Sequence, residues 1–386
     1  MNTSLFGIDN VNVWVDAVIR LNIIVVLMTV VVMGLIYGER KIIARFQLRL
    51  GPTRTGPFGL LQSVADALKL VAKEDLRPKG ADPWVFELAV YFVFIPIFLG
   101  FVAIPFAFNW NVRVLELGLF YIIAVSSVNI VGWVMAGWAS DNRYAMIGAL
   151  RAAAQGISYE LPLILSLIAV SMIVSTEAGR GSLDLGTIVA EQGRVPYIVW
   201  QPLAFAIFYA AMLAELNRSP FDIPVGESEV VGGPFVEYSG IRWSMFFLAE
   251  YAGLFILALL GSAVFLGGWA WPLGEEVGAW LQIPLTAGKA LFLIFTVFWV
   301  RVTVPRMRID QLMGFSWKVL LPVSFGLILG NGFILVYEWA DVFLLIPNVA
   351  GLVVLYVAVD RGITRRRSRP LARPAAPAVA QPGTAA

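Results

Sequence analysis

Residues 214–251 read AELNRSPFDIPVGESEVVGGPFVEYSGIRWSMFFLAEY, and this stretch joins two apolar segments through an acidic loop. The carboxylates at the mouth of the loop, within it and inside the following apolar segment are Glu215, Asp222, Glu227, Glu229, Glu237 and Glu250. A charged side chain costs roughly 2.5–3.5 kcal/mol at the centre of a membrane helix. A chain that keeps so many carboxylates together is predicted to use them, either as a proton or ion path or as a polar ligand site.

The composition indicates a polytopic membrane protein rather than a soluble domain. The chain has 386 residues, of which 59% are hydrophobic, and its mean hydropathy is +0.80. It contains no Cys and no His. Disulfides, iron–sulfur clusters and thiolate metal sites are therefore excluded, and haem or His-based zinc sites are disfavoured. The glycine-rich motifs that hold phosphates are also missing, so no nucleotide is expected as a ligand. No nucleic acid is expected as a partner.

Apolar segments of about 20 residues, the length that crosses the hydrocarbon, predict an all-α bundle of about nine transmembrane helices. The predicted spans are residues 18–38, 84–107, 115–138, 157–175, 196–214, 244–268, 284–304, 319–337 and 340–359. We predict one transmembrane domain over residues 1–363. Residues 364–386 form a basic, Pro- and Ala-rich extension whose composition is typical of a disordered tail.

The distribution of Lys and Arg predicts the orientation of the chain. Segments that follow the odd-numbered spans carry most of the 28 Lys and Arg residues. By the positive-inside rule these segments are cytoplasmic, which places the N-terminus outside and the C-terminus in the cytoplasm. The long, polar loops lie on the same side, so a partner or substrate is expected there.

The first internal segment contains an amphipathic stretch that is predicted to lie along the cytoplasmic membrane surface. Its apolar face consists of Leu61, Val64, Leu68 and Val71, and its polar face of Gln62, Asp66, Lys69 and Lys73. Two interpretations are open, an interfacial anchor or a lid over a ligand opening. Glu39 and Arg40, at the end of the first span, either line a polar entrance or form a plain helix-end pair.

The second and third internal segments also admit two interpretations each. Glu160 precedes a long apolar run, so it either snorkels or begins a buried relay. The acidic loop is either a solvated face, which suits Asp222 and Glu237, or part of that relay, which suits Glu250 because it lies within a span. The positive-inside rule is sufficient to explain the basic residues of the fourth segment, Arg301, Arg306, Arg308 and Lys318.

Several sequence pieces together resemble one family. They are GERK, QLRLGPTRTGPFGLLQ, ADALKLVAKE, IGALRAAAQGISYE, AELNRSPFD, GESE, EYSG, FFLAEY and VPRMRIDQLMGFSWKVLLP, running from Glu39 to Pro322. In order and spacing they are similar to subunit 1 of respiratory complex I, the H subunit of the bacterial proton-translocating NADH:quinone oxidoreductase. The resemblance covers a core of about residues 18–337 and implies about eight transmembrane helices, with one more in some bacterial members.

The resemblance implies a quinone chamber and the start of a proton path. Carried over by motif, the quinone-binding residues are Glu39, Arg40 and Asp66, and the proton path consists of Glu160, Glu215, Glu227, Glu229 and Glu250. The chain is expected to hold no redox cofactor of its own and to take quinone as substrate. NADH, FMN and iron–sulfur clusters are expected in partner subunits.

The resemblance also implies assembly and location. The expected partners are the iron–sulfur and quinone-site subunits of the peripheral arm, the other membrane-arm subunits and the lipid of the bacterial inner membrane. The chain departs from the family pattern at Val225, where an acidic residue is usual, and at Ser63-Val64, where Gln-Pro is common. Two alternatives stay open, the corresponding membrane subunit of an energy-converting hydrogenase and an independent secondary transporter.

Overall fold

The structure is a computed structural model that describes residues 3–5, 8–11, 13–108, 113–176, 179–272, 274 and 278–367. Its α-helices are α1 (Val13–Phe46), α2 (Gln62–Ala72), α3 (Pro83–Gly100), α4 (Gly118–Ala139), α5 (Arg143–Ser171), α6 (Leu185–Glu191), α7 (Tyr197–Trp200), α8 (Pro202–Glu215), α9 (Glu227–Val230), α10 (Gly240–Phe265), α11 (Ala279–Thr303), α12 (Ile309–Phe315), α13 (Leu321–Val336) and α14 (Leu345–Arg367). Short 3₁₀ turns cover Pro57–Gly59, Gly233–Phe235 and Asp341–Leu344, and a π-helical turn, Ser316–Leu320, joins α12 to α13.

The strands are too short to change the fold class. β1 (Thr3–Leu5) pairs with β2 (Ile8–Val11), and β3 (Ser175–Thr176) pairs with β4 (Gly179–Arg180), each pair as an antiparallel hairpin. The predicted all-α fold is confirmed. The predicted tail over residues 364–386 falls mostly outside the described residues, although α14 continues as far as Arg367.

Within the described residues, eight helices are long and apolar enough to cross a membrane. The prediction of about nine spans differs at the fifth span, residues 196–214. There the chain forms the short α7 and then α8, which has 14 residues and is therefore about 21 Å long, less than the roughly 30 Å of hydrocarbon. The break falls at Gln201, because the following Pro202 suits a helix start but cannot continue the hydrogen bonding of α7.

Helix α10 lies at the centre of the bundle, and α14 lies at its edge. In the apolar window of α10, 78% of the residues are buried, against 11% in that of α14. Helix α10 packs against α1, α3, α8 and α11, whereas α14 contacts α8 and α13. The centre of the bundle is therefore where side chains from distant parts of the sequence meet.

The amphipathic helix predicted from the sequence is α2, which lies against α1 and α10. The residues of its predicted apolar face are exposed in the isolated chain: Leu61, Val64, Leu68 and Val71. An apolar face without protein cover suits a helix that lies in the membrane surface.

The acidic loop folds back onto α5 because two glycines allow close contact. A Cβ on Gly233 would lie 2.1 Å from the carbonyl oxygen of Pro224, and one on Gly148 of α5 would lie 2.5 Å from the Cα of Gly233. Gly233 also has φ of +59°, a conformation that favours glycine. This contact places the loop over the ends of α5 and α8.

Candidate functional site

The turn after α8 carries a buried arginine into the centre of the bundle. Asn217 has φ of +50° and ends the helix, and Asn tolerates this left-handed conformation better than most residues. Gln155 of α5 holds the turn, because its amide donates to the carbonyl oxygens of Ala214 at 2.7 Å and Phe221 at 2.8 Å. The side chain of Arg218 is thereby fixed with only 3% of its surface exposed.

Arg218 lies between two carboxylates from separate helices. Its guanidinium nitrogens lie 3.3 Å from Glu39 of α1 and 3.1 Å from Glu250 of α10. Glu39 also accepts hydrogen bonds from the Tyr251 hydroxyl and from Arg301 of α11. We call these five residues the central charge cluster: two carboxylates, two guanidiniums and a phenol, whose charges are balanced as burial requires.

A cavity of about 630 Å³ opens beside the central charge cluster. Three arginines line it, Arg218, Arg301 and Arg306, together with the carboxylates Asp222 and Glu250. From the sequence, Asp222 was compatible with a solvated acid. In the structure only 17% of its side chain is exposed, and its carboxylate pairs with Arg306 at 2.8 Å. Burial raises the pKa of Asp222, and the neighbouring arginines only partly oppose this.

A second, narrower cavity of about 50 Å³ continues from Glu250 between α3, α4, α8 and α10. Its polar lining includes Glu215 at the end of α8, together with Ser126 and Asn129 of α4. Glu250 therefore borders both cavities. Glu215 in turn lies within hydrogen-bonding reach of Ser126 and close enough to Glu160 for the two carboxylates to interact electrostatically.

Glu160 completes this line of carboxylates. It lies on α5 and accepts a hydrogen bond from the hydroxyl of Ser127 of α4. Glu250, Glu215 and Glu160 thus follow one another, although they come from three separate helices. The structure thus brings together three of the residues that the sequence analysis grouped as a proton path.

The other predicted path residues lie elsewhere or are not described. Glu229 pairs with Arg151 at 2.5 Å, and 57% of its side chain is exposed, so it lies at the surface of the loop. Glu227 begins α9, and its side chain lies outside the described part of the chain. The predicted convergence of all five glutamates thus differs from the geometry at Glu229.

A third cavity, of about 320 Å³, lies between α1, α2 and α10. Its lining is mostly apolar, with Met33 and Ile36 from α1 and Phe247 from α10, and it includes the ion pair of Arg40 with Asp66. The two charged atoms are 2.5 Å apart, and Gln62 donates to the other carboxylate oxygen at 3.0 Å. Burial raises the pKa of Asp66, but these hydrogen bonds outweigh it and hold the pKa below its usual value.

The sequence analysis grouped Glu39 with Arg40 and Asp66. In the structure Glu39 does not lie with these two residues. Adjacent positions on a helix diverge by about 100°, so Glu39 points into the central charge cluster and Arg40 points towards α2. The two regions still adjoin. Trp243 and Phe247, whose rings stack at 5.0 Å, line both the 320 Å³ and the 630 Å³ cavities.

Sequence reasoning missed the arginines and the tyrosine of the site. Arg301 and Arg306 were sufficiently explained by the positive-inside rule, and nothing local marked Arg218 or Tyr251 as partners of Glu39. The one available signal was Arg218 itself, a cation inside a strongly acidic stretch. Among the described residues no group of three or more metal-ligating side chains comes together.

These features define a multi-pass membrane protein with ionisable side chains buried between its helices. Residues 19–331 match the family model described as NADH dehydrogenase. The H subunit of NADH-quinone oxidoreductase from Dehalococcoides mccartyi is 43% identical over 358 residues, covering 92% of this chain and 96% of the relative. The H subunit from Geobacillus kaustophilus is 46% identical over 319 residues, covering 81% and 92% respectively.

The chain therefore belongs to the family of NADH-quinone oxidoreductase H subunits. It is a multi-pass membrane subunit of an enzyme complex that transfers electrons from NADH to quinone. The family agrees with the resemblance seen in the sequence rather than with the hydrogenase or transporter alternatives.

Proposed function

We propose that this subunit forms the membrane-side quinone chamber of the complex and the start of its proton path, and so couples quinone reduction to proton translocation. The 320 Å³ cavity between α1, α2 and α10 supports a quinone entrance. Its volume lies within the usual range for ligand pockets, and its apolar lining with a few polar groups suits a quinone ring. Arg40 and Asp66 supply the polar groups.

The 630 Å³ cavity is the proposed place where the quinone headgroup is reduced. Three arginines line it, Arg218, Arg301 and Arg306, and such groups stabilise the negative charge that a quinone acquires with electrons. A quinone takes up two electrons and two protons to become a quinol. The electrons come from partner subunits of the peripheral arm, which we expect to hold FMN and iron–sulfur clusters and to cover this face.

The observation that carries the proposal is the position of Glu250. It borders both the large cavity and the narrow one that leads to Glu215, and it shares Arg218 with Glu39. A unit charge that appears about 10 Å away changes the energy of a carboxylate by about 1.7 kcal/mol at an effective dielectric constant of about 20. A negative charge on the quinone therefore favours the protonated form of Glu250, so that reduction draws a proton towards this carboxylate.

The proton path runs from Glu250 through Glu215 to Glu160, where it leaves towards the other membrane-arm subunits. Glu227 and Glu229 lie in the loop above it and are proposed as the proton supply from the cytoplasmic side. We place the N-terminus outside and the C-terminus in the cytoplasm. The quinone entrance then opens to both the bilayer and the cytoplasmic surface.

The quinone entrance is tested with Arg40→Gln and Asp66→Asn in the assembled complex. We expect KM for a long-chain quinone to rise about two- to fivefold, because the pair supplies the polar groups of the entrance. Thermal stability should change little, because an exposed ion pair contributes only about 0.2–1 kcal/mol to it. Because the pKa of Asp66 is held low, the pair stays charged at neutral pH, and the effect should not vary between pH 6 and 8.

Arg113→Gln is the matched control, because Arg113 is an exposed arginine in the loop between α3 and α4. NADH oxidation with a hydrophilic artificial electron acceptor reports the integrity of the partner subunits. If both variants have the same quinone kinetics as the control, this cavity is not the quinone entrance.

A further inference from the structure

One turn of α4 carries side chains that contact two of the path carboxylates, which come from two other helices. The hydroxyl of Ser127 donates to Glu160, and Ser126 lies beside Glu215 in the 50 Å³ cavity, within hydrogen-bonding reach of its carboxylate. Both hydroxyls also reach the carbonyl oxygen of Ile123, at 2.8 Å for Ser126 and 3.0 Å for Ser127. Two adjacent residues of one helix thus hold two carboxyl groups side by side.

The chemistry of a hydroxyl group gives these contacts a direction. A serine has one proton to donate and two lone pairs with which to accept. When Ser126 donates to Ile123, it can accept a hydrogen bond from a protonated Glu215. When Ser127 turns from Ile123 to Glu160, it stabilises the ionised carboxylate. Each serine therefore adapts to both protonation states of its partner without becoming charged.

Asn129 marks the other end of the same region. Its side-chain oxygen and one carboxylate oxygen of Glu215 are buried and have no hydrogen-bond partner among the described residues, and both residues line the 50 Å³ cavity that reaches Glu250. A buried polar atom left unsatisfied costs about 1–3 kcal/mol. A cavity can hold a water molecule when about 10–15 Å³ of it is open to the centre of that water and two to four polar partners are in reach. This cavity therefore suits bridging water.

We infer that Ser126, Ser127 and Asn129 are positioning residues of the proton path, which link Glu250 to Glu215 through water held in the 50 Å³ cavity and Glu215 to Glu160 through the two adjacent serines. The inference rests on the proposed function. A proton leaves the carboxyl of Glu250 for water, water gives a proton to Glu215, and Glu215 gives its proton to Glu160. Only O–H bonds form and break, and one proton is displaced along the path.

The test uses Asn129→Leu, Ser127→Ala and Ser127→Thr in the assembled complex in membrane vesicles. Leucine is close in size to asparagine but cannot accept a hydrogen bond, and threonine restores the hydroxyl that alanine lacks. We expect NADH:quinone turnover and proton pumping to fall together by about tenfold in Asn129→Leu and Ser127→Ala, and both to recover in Ser127→Thr.

A second measurement separates proton transfer from packing. The ratio of turnover in ordinary and heavy water should rise in Asn129→Leu, because proton transfer then limits the rate. Ser324→Ala is the matched control. Ser324 is a buried serine of α13 that also bonds to the carbonyl oxygen three residues before it, and no carboxylate is among its hydrogen-bond partners within the described residues.

The outcomes distinguish the inference from the function on which it rests. If Asn129→Leu and Ser127→Ala behave like Ser324→Ala while Glu250→Gln loses activity, the α4 link is wrong and the proton path stands. If Ser127→Thr fails to recover while the complex is intact, the hydroxyl is not the relevant group. If Glu250→Gln is also fully active, the proposed path itself is wrong.

Discussion

At the scale of single residues, Arg218 holds together carboxylates that are far apart in the sequence. It contacts Glu39 and Glu250, and its guanidinium lies 4.5 Å from the centre of the Tyr251 ring. Burial alone would lower the pKa of Arg218, but Glu250, Tyr251 and Glu39 outweigh burial and raise it. Because a guanidinium does not lose its proton in proteins, Arg218 stays cationic, and the two carboxylates beside it are the groups that can change charge near neutral pH.

Replacing Arg218 by methionine should destabilise the subunit strongly. Breaking a buried ion pair by removing one partner costs about 3–5 kcal/mol, because the remaining charge stays buried without compensation. We expect a lower thermal unfolding midpoint and less of the protein in the membrane, with partial recovery in Arg218→Lys. Arg113→Met is the exposed control, and an Arg218→Met variant as stable as that control would contradict the role of the central charge cluster.

At the scale of elements, a buried amide cluster attaches the outermost helix to the bundle. Gln201 at the α7–α8 break accepts from Asn331 of α13 at 3.1 Å and from Asn348 of α14 at 3.0 Å. Asn348 also accepts from the backbone N–H of Leu203 at 3.1 Å. Lipid is as apolar as the side chains of α14, so packing and polar contacts, not hydrophobicity, decide where such a helix docks.

Asn348→Leu should therefore loosen α14. The change leaves the N–H of Leu203 without its acceptor, at a cost of about 1–3 kcal/mol. We expect a lower unfolding midpoint and faster proteolysis in the loop before α14. Asn22→Leu is the matched control, because exposed Asn22 makes the same bond to the carbonyl four residues before it, at 2.8 Å, as Asn348 does. Equal stability of the two variants would show that the cluster does not anchor α14.

At the scale of the whole molecule, local sequence patterns predicted the helices but not the contacts between them. Apolar segment length and helical periodicity were enough for the long spans and for α2, because both are local properties. The break at Gln201 was missed because Pro202 lies inside an apolar run. Glu39 was grouped with Arg40 because sequence proximity cannot show that its partners, Arg218 and Arg301, come from far along the chain.

The proposed coupling of quinone reduction to proton transfer is tested most directly by Glu250→Gln, because Glu250 borders both cavities and belongs to the proposed path. Glutamine keeps the shape of the side chain but cannot titrate. NADH:quinone turnover and proton pumping are measured together in vesicles that contain the assembled complex. Glu116→Gln, an exposed carboxylate between α3 and α4, is the control. We expect assembly to survive and both activities to fall together by at least about tenfold. Full turnover with undiminished pumping would contradict the proposed coupling.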